Sequence, residues 1–170
     1  MAIYRLPVSV AEIKGLLAAQ APTADHVLAP EVLVQLTSAI ALCKIDMQLQ
    51  DYFALAFPAL RGLEGFCFQV LRSHCGLSPS PRHRLGDYFE PAGGQYALRA
   101  IYATEATLVQ RMVLNRCYHL WHSARHGLFH MDGVLESTLI IEDRVAAIQL
   151  VNEVLSTIDD SCQRLLKGSK

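Results

Sequence analysis

The chain has 170 residues, 52% of them hydrophobic and 18% charged, and its formal net charge at pH 7 is −1. This length and apolar content suit a single domain with a sizeable core, and the absence of an 18-residue apolar run argues against a membrane span. A nearly neutral chain has no overall field that attracts nucleic acid, so any contact with RNA or DNA requires a local basic face.

Helical periodicity runs through nearly the whole chain, and capping residues mark where helices begin and end. Ser9 is a typical N-cap, Pro30 suits a first helical turn, and Gly76 is typical of a helix end. In chain order, the predicted segments are a short helix after residue 9, a turn-rich link at 21–28, helices at about 30–50 and 51–74, an irregular stretch at 77–94, a helix at about 95–125 broken near 104, a connector at 131–140 and a last helix at 142–167.

These segments predict an all-α bundle of about five helices. Pro58 lies in the third predicted helix, either near its start or at a kink, and Gly127 is expected to end or distort the fourth. We expect residues 1–34 to form a short N-terminal helix with its linker, and residues 35–170 to form the functional domain. The first residues lack the basic-then-apolar order of a signal peptide.

A carboxylate, Glu64, interrupts the apolar stripe of the third predicted helix. The apolar residues one or two turns away on the same side are Phe57, Leu60, Phe68 and Leu71. A lone charge at such a position is costly unless it is paired. Two readings are open: a structural ion pair with an arginine, or a place at the floor of a cleft where Glu64 meets Arg125 or His130 from another helix.

The fourth predicted helix has an unusual polar side. Between Thr107 and Met131 there is no Asp or Glu, yet there are three arginines and four histidines. With about 100° of rotation per residue, the apolar residues share one side, and an opposing arc of roughly 120° carries the polar ones. The members of that arc are Arg111, Asn115, His119, His122, Arg125 and His126. A solvated face is the ordinary explanation, but the absence of Glu and Lys also favours an anion-binding surface.

An arginine and a histidine held close together can bind a phosphodiester and move protons on it. Two such pairs are available, Arg125 with His130 and Arg116 with His122, and periodicity does not choose between them. The first pair has an Arg-x4-His spacing within Arg125-His126-Gly127-Leu128-Phe129-His130.

Metal and thiol chemistry are both disfavoured. Three histidines on one helix face, His119, His122 and His126, have metal-ligand spacing, but no acid lies near them and no Glu-x-x-His pattern occurs, so we predict no metal and no cofactor. The cysteines show no Cys-x-x-Cys pattern and are predicted to be reduced core residues of a cytosolic protein. They are Cys43, Cys67, Cys75, Cys117 and Cys162. Because Cys117 lies on the predicted apolar side, a Cys/His nucleophile is not supported.

Three ordered segments carry a family resemblance. They are Phe57-Pro58-Ala59-Leu60-Arg61-Gly62-Leu63-Glu64-Gly65 preceded by Asp51-Tyr52, then Leu85-Gly86-Asp87-Tyr88-Phe89, then Arg125-His126-Gly127-Leu128-Phe129-His130. The last has the Arg-x4-6-His signature of the HEPN superfamily, and the set resembles the catalytic domain of the RnlA/LsoA (RNase LS) toxins. The tail Thr138-Leu139-Ile140-Ile141-Glu142 also fits, so the resemblance covers about residues 35–165.

The resemblance implies an HEPN-like bundle that acts as a metal-independent endoribonuclease and a homodimer, with Glu64, Arg125 and His130 at the catalytic positions. It also implies a cytoplasmic toxin in a toxin–antitoxin or antiviral defence system, with RNA as substrate and a cognate antitoxin protein as partner. The full-length toxins carry additional N-terminal domains, so antitoxin recognition is not carried over unchanged.

The implied chemistry is attack of a ribose 2′-hydroxyl on the adjacent phosphate, which leaves a 2′,3′-cyclic phosphate and a 5′-hydroxyl. His130 suits proton transfer because the ordinary pKa of a histidine lies near 6.5. Arg125 suits phosphate binding, and Glu64 is expected to orient one of the two or to act as the base. On an unbroken helix Arg125 and His130 point about 140° apart, so we expect a deformation at Gly127.

Further RNA contacts are predicted on the same helix. The candidate RNA-binding residues are Arg111, Arg116, His119, His122 and His126. If two subunits pair across this face, their basic clusters form one groove, and the interface accounts in part for the mean hydropathy of +0.24. The rival hypotheses are a non-catalytic HEPN-like module that binds RNA or protein, and a metal-binding or oligomerisation domain built on the three histidines.

Overall fold

The computed structural model describes residues 9–78, 80, 82–129 and 141–168, with the side chains of residues 10 and 126–129 excepted. The α-helices in this part of the chain are α1 (Val10–Gln20), α2 (Pro22–Val27), α3 (Pro30–Cys43), α4 (Phe53–Ser73), α5 (Ala100–Ala103), α6 (Leu108–Phe129) and α7 (Arg144–Gly168). One antiparallel hairpin, β1 (Phe89–Ala92) and β2 (Gln95–Leu98), follows a 3-10 turn at Leu85–Tyr88. The mostly helical bundle is confirmed, with more helices than expected and a small sheet.

The hairpin corrects the prediction of an irregular stretch at 77–94 followed directly by a helix. Its loop is the pair Gly93 and Gly94, whose φ angles are 58° and 80°. A two-residue hairpin loop with both φ angles positive is the turn that glycine permits without steric cost. The two glycines were therefore a local signal for the hairpin, although each strand is too short for a clear alternation of polar and apolar residues.

Tertiary contacts set the ends of two helices that the pattern misplaced. The predicted helix at 30–50 stops at Cys43, where the Arg144 Nη2 donates to the carbonyl oxygens of Cys43 and Ile45 at 2.8 and 3.0 Å. The predicted link at 21–28 contains α2, whose second and third residues, Thr23 and Ala24, donate their backbone N–H groups to the Asp159 carboxylate at 2.7 and 3.0 Å. Both partners come from α7, more than 95 residues away in sequence.

The central helix is α4, which packs against α3, α6 and α7. Within the described residues it is the one helix long and apolar enough to cross a membrane, and 56% of that stretch is buried inside the fold. It continues through Pro58, which lies in its second turn and not at its start. Burial on several sides accounts for its nearly continuous apolar sequence.

The close approach of α3 to α4 depends on glycine. A Cβ atom placed on Gly62 would lie 2.6 Å from Cδ2 of Leu36, and one on Gly65 would lie 3.1 Å from Cγ2 of Val32. Leu36 is fully buried and cannot move aside into solvent. The two glycines that flank Glu64 in the sequence therefore bring α3 against α4 and, through α4, hold that segment in place.

The N-terminal helices share the core of the rest of the chain. Ile13, Leu17, Ala21 and Ala24 belong to the same buried cluster as the side chains of α4, α6 and α7. Ser9 accepts from the Glu12 backbone N–H at 3.2 Å, which confirms the predicted N-cap. The division into residues 1–34 and 35–170 stays a prediction about domain organisation.

We predict that Gly62→Ala destabilises the protein although alanine favours helix. The added methyl group overlaps Leu36, at a cost of about 1–3 kcal/mol that exceeds the gain of about 1 kcal/mol in helix propensity. Gly15→Ala is the matched control, because nothing lies within 4 Å of the new Cβ and the variant gains helix propensity alone. Urea unfolding measures whether each substitution raises or lowers the free energy of unfolding. A Gly62→Ala protein that is more stable than the wild type contradicts the close packing of α3 against α4.

Asp159→Ala is expected to lower the free energy of unfolding by about 2–3 kcal/mol, because two backbone N–H groups of α2 lose a charged acceptor in a buried place. The adjacent Asp160→Ala is the control. Asp160 forms a half-exposed ion pair, so its loss costs at most about 1 kcal/mol. Thermal or urea unfolding measures both variants. If Asp159→Ala and Asp160→Ala lose the same free energy of unfolding, the hydrogen bonds from Asp159 to α2 contribute nothing specific.

Candidate active site

The helices α4 and α6, which carry Glu64 and Arg125, pack against each other. Gln110 in α6 donates to the His74 carbonyl at 2.9 Å, and a thiol–thiol hydrogen bond joins Cys67 to Cys117. These contacts make α4 and α6 antiparallel, so Glu64, three residues before Cys67, lies level with a position about three residues after Cys117. The 3-10 turn also joins the site, because a methyl group on Gly86 would lie 3.4 Å from the hydroxyl of Tyr118.

Glu64 lies at the edge of the apolar stripe, with 22% of its side chain exposed. Leu60 and Leu71 of that stripe are buried as expected, whereas Phe57 is 38% exposed. The Glu64 carboxylate forms an ion pair with the Arg61 guanidinium at 3.4 Å. The simpler of the two readings, an ion pair with an arginine, is therefore realised within α4 itself. The spacing of three residues between Arg61 and Glu64 is a helix-pair signal that the sequence already contained.

Arg125 lies on an aromatic stack. Its guanidinium carbon is 4.6 Å from the centroid of the Trp121 ring, and Trp121 is 4% exposed. The stack continues to Tyr118, 5.6 Å from Trp121, and then to Phe89, whose ring lies parallel to Tyr118 at 3.8 Å. A cation over an indole face is held by about 0.5–2 kcal/mol, so the structure fixes the orientation of Arg125.

The hairpin divides the polar arc of α6 that the sequence predicted as one continuous face. The Asn115 Oδ1 accepts from the Leu98 backbone N–H at 2.8 Å, and the His122 ring lies 4.3 Å from Tyr96. Arg111 is half-buried, and its buried Nε has no hydrogen-bond partner among the described residues. This side of α6 is therefore largely covered, which corrects the expectation of a single open arc.

At one edge of the arc, His119 opens onto a groove between α6 and α7, which Arg116, outside the arc, also lines. Arg116 forms an ion pair with Asp160 at 3.2 Å, and His119 is exposed beside it. Both residues line two adjoining cavities, of about 410 and 290 Å³. Arg164 enters the wall of the larger cavity and Glu153 that of the smaller. Sequence periodicity missed Asp160 and Arg164 because they come from a different helix.

Two predicted site residues lie beyond what the structure describes. His130 lies outside the described residues, and so does the side chain of His126. The backbone of α6 stays helical to Phe129, so Gly127 does not end the helix, and the alternative, a distortion of the helix at Gly127, stays a prediction. No group of three metal-binding side chains occurs among the described residues.

The buried thiols form a separate cluster behind the site. The hydrogen bond with Cys117 and burial raise the pKa of Cys67, whereas the same hydrogen bond lowers the pKa of Cys117. Cys117 also lies 3.5 Å from the Ser161 hydroxyl. Burial raises the pKa of Cys75 to about 11 and that of Cys162 to about 12. These groups pack the core and do not offer an accessible thiolate.

The family described as "RNase LS, bacterial toxin DBD domain" matches residues 11–132. The chain is 31% identical over 162 residues to the mRNA endoribonuclease LsoA of Escherichia coli O157:H7, which covers 95% of this chain and 46% of that protein. It is 29% identical over 118 residues to the mRNA endoribonuclease toxin LS of Escherichia coli strain K12, which covers 69% of this chain and 32% of that protein. The chain thus spans about half or less of the length of these curated relatives.

A solved structure has the same fold. The crystal structure of Escherichia coli toxin LsoA in complex with T4 phage antitoxin Dmd matches 93% of this chain and 62% of that chain, with a TM-score of 0.82 and 31% sequence identity. A likeness of this extent confirms the mostly helical, HEPN-like bundle that the resemblance implied.

The native protein is expected to react slowly with the thiol reagent DTNB at pH 7.5. Burial keeps Cys75 and Cys162 protonated and encloses Cys67 and Cys117. All five thiols should react on addition of urea, with free glutathione as the reference rate. Because Cys43 is only half-buried, the test concerns the other four thiols: one of them that reacts in the native state as fast as glutathione contradicts this arrangement.

Proposed function

The chain belongs to the RNase LS bacterial toxin family, and from that premise we propose that it is an endoribonuclease that cuts RNA at a site formed by Glu64, Arg125 and His130. The observation that carries the proposal is the match to a protein named mRNA endoribonuclease along 95% of this chain. The geometry supports it, because α4 and α6 bring the segment around Glu64 beside the helix that carries Arg125.

The proposed reaction is attack of the ribose 2′-hydroxyl on the neighbouring phosphate, without a metal ion or other cofactor. The oxygen of the 2′-hydroxyl forms a bond to phosphorus while a base takes its proton, and the bond from phosphorus to the 5′ oxygen breaks while an acid gives that oxygen a proton, so that it leaves as a 5′-hydroxyl. His130 moves a proton, and Arg125 stabilises the charged phosphorane. Because Trp121 takes the face of the Arg125 guanidinium, the N–H groups in its plane are the ones suited to phosphate oxygens.

Glu64 acts in this proposal as a positioning residue. Its carboxylate is mostly buried and pairs with Arg61, on a helix that packs against α6. A carboxylate in this position orients a guanidinium or an imidazole more readily than it collects a proton from an exposed ribose. The alternative role for Glu64 is that of the base itself. The pH dependence of kcat in a Glu64→Gln variant distinguishes a base from a positioning residue.

The RNA strand is proposed to contact α6 through Arg111, Arg116, His119, His122 and His126. Arg116 and His119 are exposed along the α6–α7 groove, which supports them as contacts. Arg111 is half-buried, so its role requires a strand that runs close to the hairpin. The local basic groove supplies the attraction that a net charge of −1 does not.

The partners and setting are part of the same proposal. An antitoxin protein is proposed because the similar toxin LsoA is found in complex with the antitoxin Dmd. A homodimer that joins two basic clusters across one groove, a cytoplasmic location and a role in a toxin–antitoxin or antiviral defence system complete it. The five free cysteines agree with a reducing compartment.

A second candidate function is a non-catalytic HEPN-like module that binds RNA or protein. The observation that favours it is the Arg61–Glu64 ion pair, which accounts for the carboxylate without any chemistry. RNA binding without product in the assay below would select this candidate.

The wild-type protein is expected to cut single-stranded RNA in the presence of EDTA and to leave 2′,3′-cyclic phosphate ends. Arg125→Ala and His130→Ala should each reduce the rate by about 100-fold or more, because each removes a group that acts on the transition state. A strand with 2′-deoxyribose at the cut site should stay intact, since it has no 2′-hydroxyl nucleophile.

Arg72→Ala and His26→Ala are the matched controls, because both residues are exposed and lie outside the proposed site. Both controls should cut RNA at the wild-type rate. Cleavage that vanishes with EDTA, or that persists in Arg125→Ala and His130→Ala, contradicts the proposed mechanism.

A further inference from the structure

The larger cavity of the α6–α7 groove has the shape and chemistry of a binding site of its own. Its volume is about 410 Å³, within the range of small-molecule sites, and its walls come from α6, α7 and the first residue of β2. It lies away from Arg125, since His119, the lining residue of α6 nearest to it in sequence, is six residues, or about 9 Å along the helix, from Arg125.

The apolar part of the wall is unusually exposed. Met112 is 53% exposed although it lies in the second turn of α6, and it lines the cavity together with the buried Val113. A flexible thioether side chain in a cavity suits contact with a flat apolar ring. A nucleobase is such a ring, with polar atoms at its edge.

The polar part of the wall is held in place by contacts outside the cavity. The Asn115 Oδ1 accepts from Leu98, so its amide nitrogen is the group that remains to donate. Arg116 is held at 3.2 Å by Asp160, so its guanidinium is fixed at the rim. Arg164 and His119 add to the rim without an ion pair between either of them and a described acid. The rim is therefore suited to an anion, and the wall to a ring with hydrogen-bond acceptors.

The groove continues from the larger cavity along α6 toward the end of the helix that carries Arg125. Arg116 and His119 line both cavities, and Leu120 and Ser123 join the wall of the smaller one. Ser123 lies two residues before Arg125, whose guanidinium rests on the Trp121 ring.

We propose that this cavity binds a nucleotide of the RNA substrate beyond the one that is cut, with its base against Met112 and its phosphate near Arg164. The inference rests on the proposed function, because it takes the strand to be the substrate of that same site. It assigns RNA recognition to Met112, Asn115 and Arg164.

The test measures binding of a fluorescently labelled RNA with 2′-O-methyl riboses, which lacks the nucleophile and stays intact, at several salt concentrations. Arg164→Gln should weaken binding and reduce the slope of log K against log salt by about 0.7, the value for one phosphate contact on a single strand. Met112→Ala should weaken binding about tenfold with an unchanged slope, because it removes apolar contact and no charge.

Two matched controls and a second RNA sharpen the result. Arg72→Gln and Met47→Ala make the same changes at exposed positions that do not line the cavity, and these variants should bind as the wild type does. With an abasic strand of equal length, the Met112→Ala deficit should disappear while the Arg164→Gln deficit remains.

Binding by Arg164→Gln and Met112→Ala equal to that of the controls overturns the nucleotide site, as does a wild-type protein that does not bind this RNA. The proposed function is tested separately with unmodified RNA. Variant effects on binding without any wild-type cleavage reject the endoribonuclease and keep the nucleotide site. Cleavage by the wild type together with unaltered RNA binding in both variants keeps the endoribonuclease and rejects the nucleotide site.

Discussion

The packing of α4 against its neighbours is the constraint on which the candidate site depends. Gly62 and Gly65 let α3 approach so closely that no side chain fits between the two helices at Leu36. On the far side, Cys67 meets Cys117 and sets the register of α6. Glu64 lies between these contacts and keeps a partly exposed place at the edge of the core. The position of this carboxylate is thus a result of backbone packing on both sides of α4.

The hairpin determines what α6 presents to a ligand. Phe89 and Tyr96 stack on Tyr118 and His122, and Leu98 binds Asn115, so one side of α6 is covered. The same stack ends in Trp121, on whose ring Arg125 rests. The eight strand residues of the hairpin therefore cover part of the basic surface of α6. Through the aromatic stack they also orient the guanidinium of Arg125.

Two adjacent acids of α7 have different physical roles. Asp159 is buried and accepts the N-terminal N–H groups of α2, so it contributes to the fold. Asp160 is half-exposed and holds Arg116 at the rim of the groove, so it limits how strongly that arginine attracts an anion. Because the chain as a whole is nearly neutral, attraction of the proposed RNA substrate depends on such local balances.

Local periodicity and composition by themselves determined the helical bundle, the Ser9 cap, the long central and final helices, and the acid-free helix that carries Arg125. They also identified Glu64 as an unusual residue, since a carboxylate within an apolar stripe is visible without coordinates. The Gly93-Gly94 turn and the Arg61–Glu64 spacing were equally local signals. Only the tertiary structure decided that the hairpin covers half of the α6 arc, that Arg144 ends α3, and that Arg164 joins Arg116 at one cavity. These arrangements join segments far apart in the chain, and such contacts leave no periodic pattern in the sequence of either partner.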